Sequence, residues 1–126
     1  MRLEKFTIYG WVPARKAVGA LAANRLVVVV ASTEGFGVKQ IVALADKPFG
    51  VTGDDSWADG QMASIFRKNV VVPIVCADAG CAENVSVYNT ATGKVSATQG
   101  AGASLVGTTM SKTDAADELI SVDLTL

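Results

Sequence analysis

Cys76 and Cys81 are the residues with the most distinctive chemistry in this 126-residue chain. Four residues separate them, a spacing that matches neither a C-x-x-C redox pair nor half of a four-ligand zinc site, and the chain has no other cysteine. The intervening Asp78 and Gly80 favour a turn that could bring the two sulfurs together across a hairpin. In a reducing compartment we expect two free, partly buried thiols.

The other candidates for catalysis or ligand binding are weak. The chain has no histidine, which excludes Ser-His-Asp triads, Cys-His dyads and histidine metal sites within it. Asp54, Asp55 and Asp59 share one loop, but their spacing matches no EF-hand and predicts a solvated turn. Two glycine-rich segments, 35–40 and 100–105, begin like G-x-G-x-x-G and lack the third glycine. We therefore expect no enzyme, no metal and no cofactor, with a metal-dependent enzyme on the aspartate loop as a less favoured alternative.

Charge is nearly balanced over the whole chain but unevenly distributed. Eleven basic residues oppose twelve acidic ones, with a pI near 5.3, which excludes a globally basic protein that coats nucleic acid. Residues 1–25 carry five basic groups against one acidic group, and residues 112–126 carry one basic group against four acidic ones. This asymmetry suits pairing between subunits or docking on an acidic surface. A short basic bend at Arg67 and Lys68 is more often a solvated corner, although it could meet an acidic partner.

The apolar composition indicates a β-rich protein outside the membrane. Half of the residues are apolar, mostly valine, alanine and leucine, and only 6% are aromatic. The longest apolar runs, 26–31 and 70–77, are far shorter than the ~20 residues that a membrane-spanning helix needs. The first residues, MRLEKFTIYGWVP, contain no apolar leader, so we expect synthesis in the host cytoplasm.

Short β-branched runs alternate with turn residues along most of the chain and predict a mainly β fold, a small barrel or sandwich. The predicted strands cover residues 26–30, 38–45, 49–52, 61–66, 70–76, 84–88, 94–97, 104–110 and 118–126. We expect the strand with Pro73 to lie at an edge or to carry a bulge. An ungapped offset of 57 residues aligns Val28 with Val85 and Gly50 with Gly107, which predicts two similar strand–turn–strand halves.

Residues 1–17 are predicted to be an extended N-terminal arm that precedes a β-rich domain at 18–126. Gly10 and Pro13 argue against a helix there, and aromatic side chains would lie on both faces of a strand. Trp57 lies in a polar loop, where it either packs over a barrel end or makes a subunit contact. The candidate contact residues are Arg2, Lys5, Phe6, Tyr9, Trp11 and Trp57.

Several segments together resemble the small capsid decoration, or cement, proteins of tailed bacteriophages over most of residues 18–126. These are the Ala/Gly-rich entry at 18–25, Pro-Phe-Gly-Val-Thr at 48–52, Ala-Asp-Gly-Gln at 58–61, and the terminal stretch from Gly107 to Leu124 containing Asp-Glu-Leu-Ile-Ser-Val-Asp-Leu. The resemblance implies a homotrimer on the outer surface of the phage head. It also implies a structural role, in which the protein stabilises the capsid by bridging subunits of the major capsid protein.

These expectations define a virion protein whose partners are the major capsid protein and other copies of itself, with neither nucleic acid nor membrane as a direct partner. The arm would extend onto the capsid while the barrel supplies the threefold contact. A different class of function remains open. In a small-molecule or carbohydrate-binding β-barrel, Trp57 and Tyr88 would line a pocket.

Overall fold

A computed structural model describes residues 14–32 and 35–126, and in these ranges the chain is built from strands alone. The ten strands are β1 (Ala14–Ala17), β2 (Leu26–Ser32), β3 (Gly35–Gln40), β4 (Gly50–Val51), β5 (Met62–Ser64), β6 (Val71–Val75), β7 (Ser86–Asn89), β8 (Val95–Ser96), β9 (Leu105–Thr109) and β10 (Leu119–Leu124). Across the described ranges, no helix is long and apolar enough to cross a membrane. The mainly β fold predicted from the sequence is confirmed.

The strands form two five-stranded sheets that follow one another along the chain. The N-terminal half, residues 14–68, has the strand order β4-β2-β3-β1-β5, and the C-terminal half, residues 69–126, has the order β6-β10-β9-β7-β8. In the N-terminal half a bridge between Val51 and Phe66 joins the two edges and closes the sheet into a barrel. In the C-terminal half the sheet curls until Cys76 meets Val95 in a parallel bridge.

The two halves repeat the same topology strand for strand. In each half the second strand lies between the third and fourth, the fifth pairs with the first, and the only parallel contact joins the first strand to the third. The parallel register Ala17↔Val38 of the N-terminal half thus corresponds to Cys76↔Val95 of the C-terminal half. The prediction of two similar halves is therefore confirmed.

The same polar device fixes the entry to the second strand in both halves. The Thr52 hydroxyl donates to the Ala22 carbonyl at 2.8 Å and accepts from the Arg25 amide. Thr109 does the same, donating to the carbonyl of Ala82 at 2.8 Å and accepting from the Val85 amide. A left-handed asparagine lies in each of these turns, with φ of 56° at residue 24 and 61° at residue 84. Asparagine is among the few residues that tolerate this conformation at little cost.

The predicted repeat register is right for one part of each half and wrong for the other. Gly50 and Gly107 occupy equivalent places, as the offset of 57 residues predicts. Val28 corresponds to Tyr88 rather than to Val85, because ten residues separate Val28 from its partner Lys39, whereas seven separate Tyr88 from Ser96. The β2–β3 hairpin is thus three residues longer than its counterpart, and an ungapped alignment cannot follow this difference.

The halves share part of their hydrophobic core. The smaller cluster lies within the N-terminal half and consists of Ala17, Leu21, Val27, Val38, Ala63 and Ile65. The larger cluster fills the C-terminal half and also takes in Leu26, Ile41 and Val51 from the N-terminal half. Main-chain hydrogen bonds from Leu26 to Gly93, at 2.7 Å, and from Val75 to Asn24, at 3.1 Å, cross the junction. The two halves are therefore expected to unfold together.

Two local predictions have informative outcomes. The strand predicted over residues 38–45 ends at Gln40, because the Asp46 carboxylate accepts hydrogen bonds from the amides of Val42 and Ala43 and holds the following segment in a turn. Pro73, which lacks an amide hydrogen, lies on the strand at one end of the C-terminal sheet order, as predicted.

Candidate docking surface

The chain enters the N-terminal half through β1, which was predicted as the end of the arm. Residues 14–17 pair with β3 on one side and with β5 on the other, so they belong to the barrel. The other predicted arm residues, including the five contact candidates Arg2, Lys5, Phe6, Tyr9 and Trp11, lie outside the described residues.

Beside this entry lies a shallow depression of about 280 Å³, which we call the basic–apolar surface. It is lined by Ala14, Arg15, Lys16, Phe36 and Met62. Phe36 is 71% exposed and Met62 59% exposed, although both are large apolar side chains. The strand register explains the arrangement, since Lys16 pairs with Met62 on one side and with Gly37, the neighbour of Phe36, on the other. Exposed apolar side chains grouped around a depression are typical of a contact surface.

Behind the depression, two arginines lie over one aromatic ring. The Arg67 guanidinium carbon is 4.2 Å from the centroid of the Phe49 ring, and that of Arg15 is 5.6 Å away. The Arg67 Nε donates to the Phe49 carbonyl at 2.9 Å, whereas the Arg15 Nε is buried without an acceptor. All three side chains are half-buried. We call this cluster the arginine stack.

The C-terminal half shows what an ordinary core would place at these positions. The strand registers make Ile74 the counterpart of Arg15, Val106 the counterpart of Phe49, and Leu124 the counterpart of Arg67. These three are 0%, 0% and 3% exposed and belong to the main hydrophobic cluster. The N-terminal half therefore carries two cations where the same scaffold accommodates buried aliphatic residues.

The arginine stack is also electrostatically unbalanced. In the described ranges 14–32 and 35–126, neither of its guanidinium groups has a carboxylate within ion-pair distance. The aromatic ring offsets part of the cost of removing these cations from water. A half-buried arginine that lacks an acceptor is well suited to accept a carboxylate from outside, because the guanidinium fork matches carboxylate geometry.

Trp57 covers the end of the N-terminal barrel. Its main chain forms a bridge with Leu21, and its ring packs against the smaller hydrophobic cluster. The indole Nε1 is buried without a hydrogen-bond partner. Packing over a barrel end, one of the two placements considered from the sequence, describes this position. Trp57 does not line the basic–apolar surface, and neither does Tyr88.

The two cysteines and Asp78 form a close cluster in the C-terminal half. Their sulfur and oxygen atoms all lie within 4.8 Å of one another, and both thiols are free and buried. Burial, followed by the neighbouring Cys76 thiol and Asp78, raises the pKa of Cys81 from 9.0 to about 11. Both Asp78 oxygens already accept hydrogen bonds, from the Ser96 hydroxyl at 2.7 Å and the Ala97 amide at 2.8 Å.

The counterparts of the cysteines clarify their role. Cys76 corresponds to Ala17 and Cys81 to Leu21, since Leu21 bridges to Trp57 as Cys81 bridges to Thr113. Ala17 and Leu21 are plain buried core residues. The thiols therefore occupy ordinary core positions, and Asp78 fastens the intervening turn to the end of β8.

The aspartate loop does not form a compact ligand set. Asp59 accepts a hydrogen bond from the Gly19 amide at 2.7 Å, and Asp54 accepts one from the Asn24 side chain at 3.1 Å. Asp55 is exposed. Within the described ranges, the acidic and thiol groups that lie close enough to hold an ion are those of the cysteine cluster alone.

Taken together, the chain is a tandem β fold: two five-stranded sheets of identical topology joined through a shared core. The same fold occurs in the crystal structure of the N base of head fiber gp8.5 from bacteriophage phi29. The TM-score is 0.70 at 10% sequence identity, and the match covers 90% of this chain and 92% of that one. No protein-family model and no curated protein matches the sequence.

Sequence reasoning identified part of the candidate surface. The basic bend at Arg67 was noted as a possible contact with an acidic partner, and Phe49 was placed in a short strand. Arg15 was counted only as one charge of the basic N-terminal region, and Phe36 and Met62 were not singled out. Aligning the halves with the correct gap would reveal the substitution of arginines for aliphatic core residues.

Proposed function

We propose that this chain is a structural protein of a bacteriophage virion that binds the outer surface of the head. In this proposal it assembles as a homotrimer and stabilises the capsid by bridging neighbouring subunits of the major capsid protein. It acts by contact rather than catalysis, and it is made in the host cytoplasm before joining the particle.

The observation that carries the proposal is the likeness to the phi29 head fiber base, which extends over nine-tenths of both chains. The resemblance of the sequence to phage decoration proteins is an independent indication of the same class. The exposed apolar side chains of the basic–apolar surface, Phe36 and Met62, add support because a protein that binds a shell needs such a contact surface.

The direct test mixes the purified chain with expanded heads that lack it, taken from the phage whose genome encodes it. We expect the chain to sediment with the heads and to raise the temperature at which they rupture. Many copies that each bind two neighbouring subunits stabilise a shell more than single contacts would. Heads that neither bind the chain nor gain stability would refute the proposal.

The arm predicted from the sequence offers a more specific test. Deleting residues 1–12 is expected to abolish head binding while leaving the domain folded, because the described barrel begins at Ala14. Sedimentation with heads measures binding, and thermal unfolding of the free chain shows whether the fold is retained. A truncated chain that binds heads as tightly as the full chain would exclude the arm from the contact.

The phi29 likeness favours a second candidate within the same class, the attachment base of a longer head fibre. A base would carry a further protein or segment outward, whereas a cement protein would cover many equivalent sites by itself. Electron microscopy of decorated heads separates the two, since a base leaves sparse projecting fibres and a cement protein leaves a regular lattice of low bumps.

A further inference from the structure

We propose that the arginine stack is a carboxylate-binding site that receives an acidic side chain of the major capsid protein. Phe36 and Met62 would contact an apolar side chain next to that carboxylate. The identity of the partner rests on the proposed function, but the preference for a carboxylate follows from the stack itself.

The first reason is the contrast between the two halves. Ile74 and Leu124 show that this scaffold packs aliphatic residues at the two arginine positions. Arginine there sacrifices apolar burial and removes a cation partly from water, which lowers stability unless a partner compensates. Departures of this kind from local packing rules are expected at functional sites.

The second reason is the missing acceptor. The Arg15 Nε is buried and has no hydrogen-bond partner, while the Arg67 Nε already donates to a carbonyl. A buried donor without an acceptor is costly, and a carboxylate that accepts from a guanidinium forms one of the stronger hydrogen bonds in proteins. An incoming aspartate or glutamate would thus supply what the free protein lacks at Arg15.

The third reason concerns the class of partner. The surface combines Arg15 and Lys16 with two exposed apolar side chains, and its volume of about 280 Å³ admits only a few side chains. A nucleic acid would offer phosphates without apolar side chains to cover Phe36 and Met62, and the chain as a whole is slightly acidic. A protein segment that alternates acidic and apolar residues matches both features.

The test replaces each arginine by its counterpart from the other half, Arg15→Ile and Arg67→Leu. Because the C-terminal half packs these residues at the same places, we expect both variants to fold with unfolding midpoints at or above that of the wild-type chain. We expect their affinity for expanded heads to fall by about tenfold or more. Arg15→Lys keeps the charge but loses the planar fork, and should give an intermediate loss.

Lys112→Gln is the matched control, since it removes one exposed positive charge from the C-terminal half. It should leave head affinity unchanged. If Arg15→Ile and Arg67→Leu bind heads as tightly as the wild-type chain, the site is refuted. If these variants instead change the mass of the free assembly while head binding is retained, a second copy is the occupant and the assignment to the capsid protein is wrong.

A separate measurement tests the chemistry without heads. The probe is an acetylated Glu-Leu-Glu peptide, titrated into the chain with nitrogen-15-labelled arginine. We expect the Nε–H signals of Arg15 and Arg67 to shift and those of Arg25 to stay, and a Gln-Leu-Gln peptide to cause no shift. If the peptide binds while heads do not, the carboxylate site stands and the proposed function fails. If neither arginine responds, or a DNA oligonucleotide shifts the signals where the peptide does not, the carboxylate site is refuted.

Discussion

The two halves of this protein use one strand topology for different purposes. Both repeat the same threonine device and the same left-handed asparagine at the entry to their second strand. The C-terminal half then fills its interior with aliphatic residues, whereas the N-terminal half places Arg15 and Arg67 over Phe49. The comparison indicates that a duplicated scaffold allows one copy to supply stability while the other is free to carry a binding surface.

The outer faces of the halves support the same division. Met62 corresponds to Leu119, and both are more than half exposed, so each half presents an apolar outer face. Beside them, Lys16 of the N-terminal half corresponds to Val75 of the C-terminal half. The basic character is therefore confined to the N-terminal face, and electrostatic selection of a partner is expected there.

The largest predicted effect concerns a pair of glycines that both halves require. A Cβ at Gly107 would collide with the Asp123 carbonyl, and a Cβ at Gly50 would collide with the carbonyl of Phe66. Since backbone atoms cannot move aside cheaply, Gly107→Ala and Gly50→Ala should each lower the free energy of unfolding by about 3 kcal/mol. Urea unfolding followed by circular dichroism measures the loss.

Gly100→Ala is the control for these variants. Its new methyl group would meet only the Leu44 side chain, at 3.2 Å, which can rotate. We expect a loss well below that of the other two variants. If Gly107→Ala destabilises no more than Gly100→Ala does, the close approach of the fourth and fifth strands is wrong in the C-terminal half.

The next effect tests whether the threonine device has equal weight in both halves. Thr52 and Thr109 are 2% and 0% exposed, and each hydroxyl pairs with one carbonyl and one amide. Replacing either threonine by valine leaves those main-chain groups without partners and should cost about 2 kcal/mol. Thr→Ser variants, which keep the hydroxyl, should lose less. Strongly unequal valine variants would show that only one half depends on this bond.

Most of the fold was accessible from the sequence because its signals are local. Valine-rich runs separated by Gly, Asn and Asp turns specify short strands, and the repeated turns indicate two halves. The end of β3 at Gln40 was not accessible, since the Asp46 carboxylate that terminates it acts through a side-chain contact. The gap in the repeat was also hidden, because identical small residues align almost as well without it.

The candidate site was less accessible, because its meaning depends on contacts between distant segments. Arg15, Phe49 and Arg67 are separated by 33 and 17 residues, and nothing in their local sequence predicts that they meet. Trp57 drew attention through its polar surroundings, yet its bridge to Leu21 explains it as a cover for the barrel. Rarity of a residue type is thus a weaker guide to a site than an unusual residue at a core position.

A third prediction concerns the buried thiols, which replace Ala17 and Leu21 of the other half. Because the pKa of Cys81 is raised to about 11, its reactive thiolate form makes up about one thousandth of the population at pH 8. Labelling of the folded chain by a disulfide reagent should be slow at that pH and accelerate as pH approaches 11. Since the raised pKa favours the folded state only while the thiol stays neutral, stability should decline as pH rises above 9. Fast labelling at neutral pH would contradict the burial of this sulfur.

The smallest effect distinguishes an amide from a carboxylate at one shared turn. The Gln61 side-chain oxygen accepts a hydrogen bond from the Ala58 amide at 2.7 Å, and Glu118 accepts in the same way from the amides of Asp114 and Ala115. These bonds hold the pKa of Glu118 below its ordinary value. Its carboxylate therefore adds stability above the ordinary glutamate pKa, and this contribution is lost as pH falls through the lowered value.

Exchanging the two side chains should move this acid sensitivity from one half to the other. Glu118→Gln is expected to be nearly neutral at pH 7, because the amide of Gln61 already performs the task in the N-terminal half. It should reduce the loss of stability between pH 5 and pH 3, while Gln61→Glu should increase that loss. Urea midpoints at the two pH values measure both changes, with the wild-type chain as reference. If both variants follow the wild-type pH profile, the carboxylate and the amide are equivalent at every pH and the turn contributes no linkage.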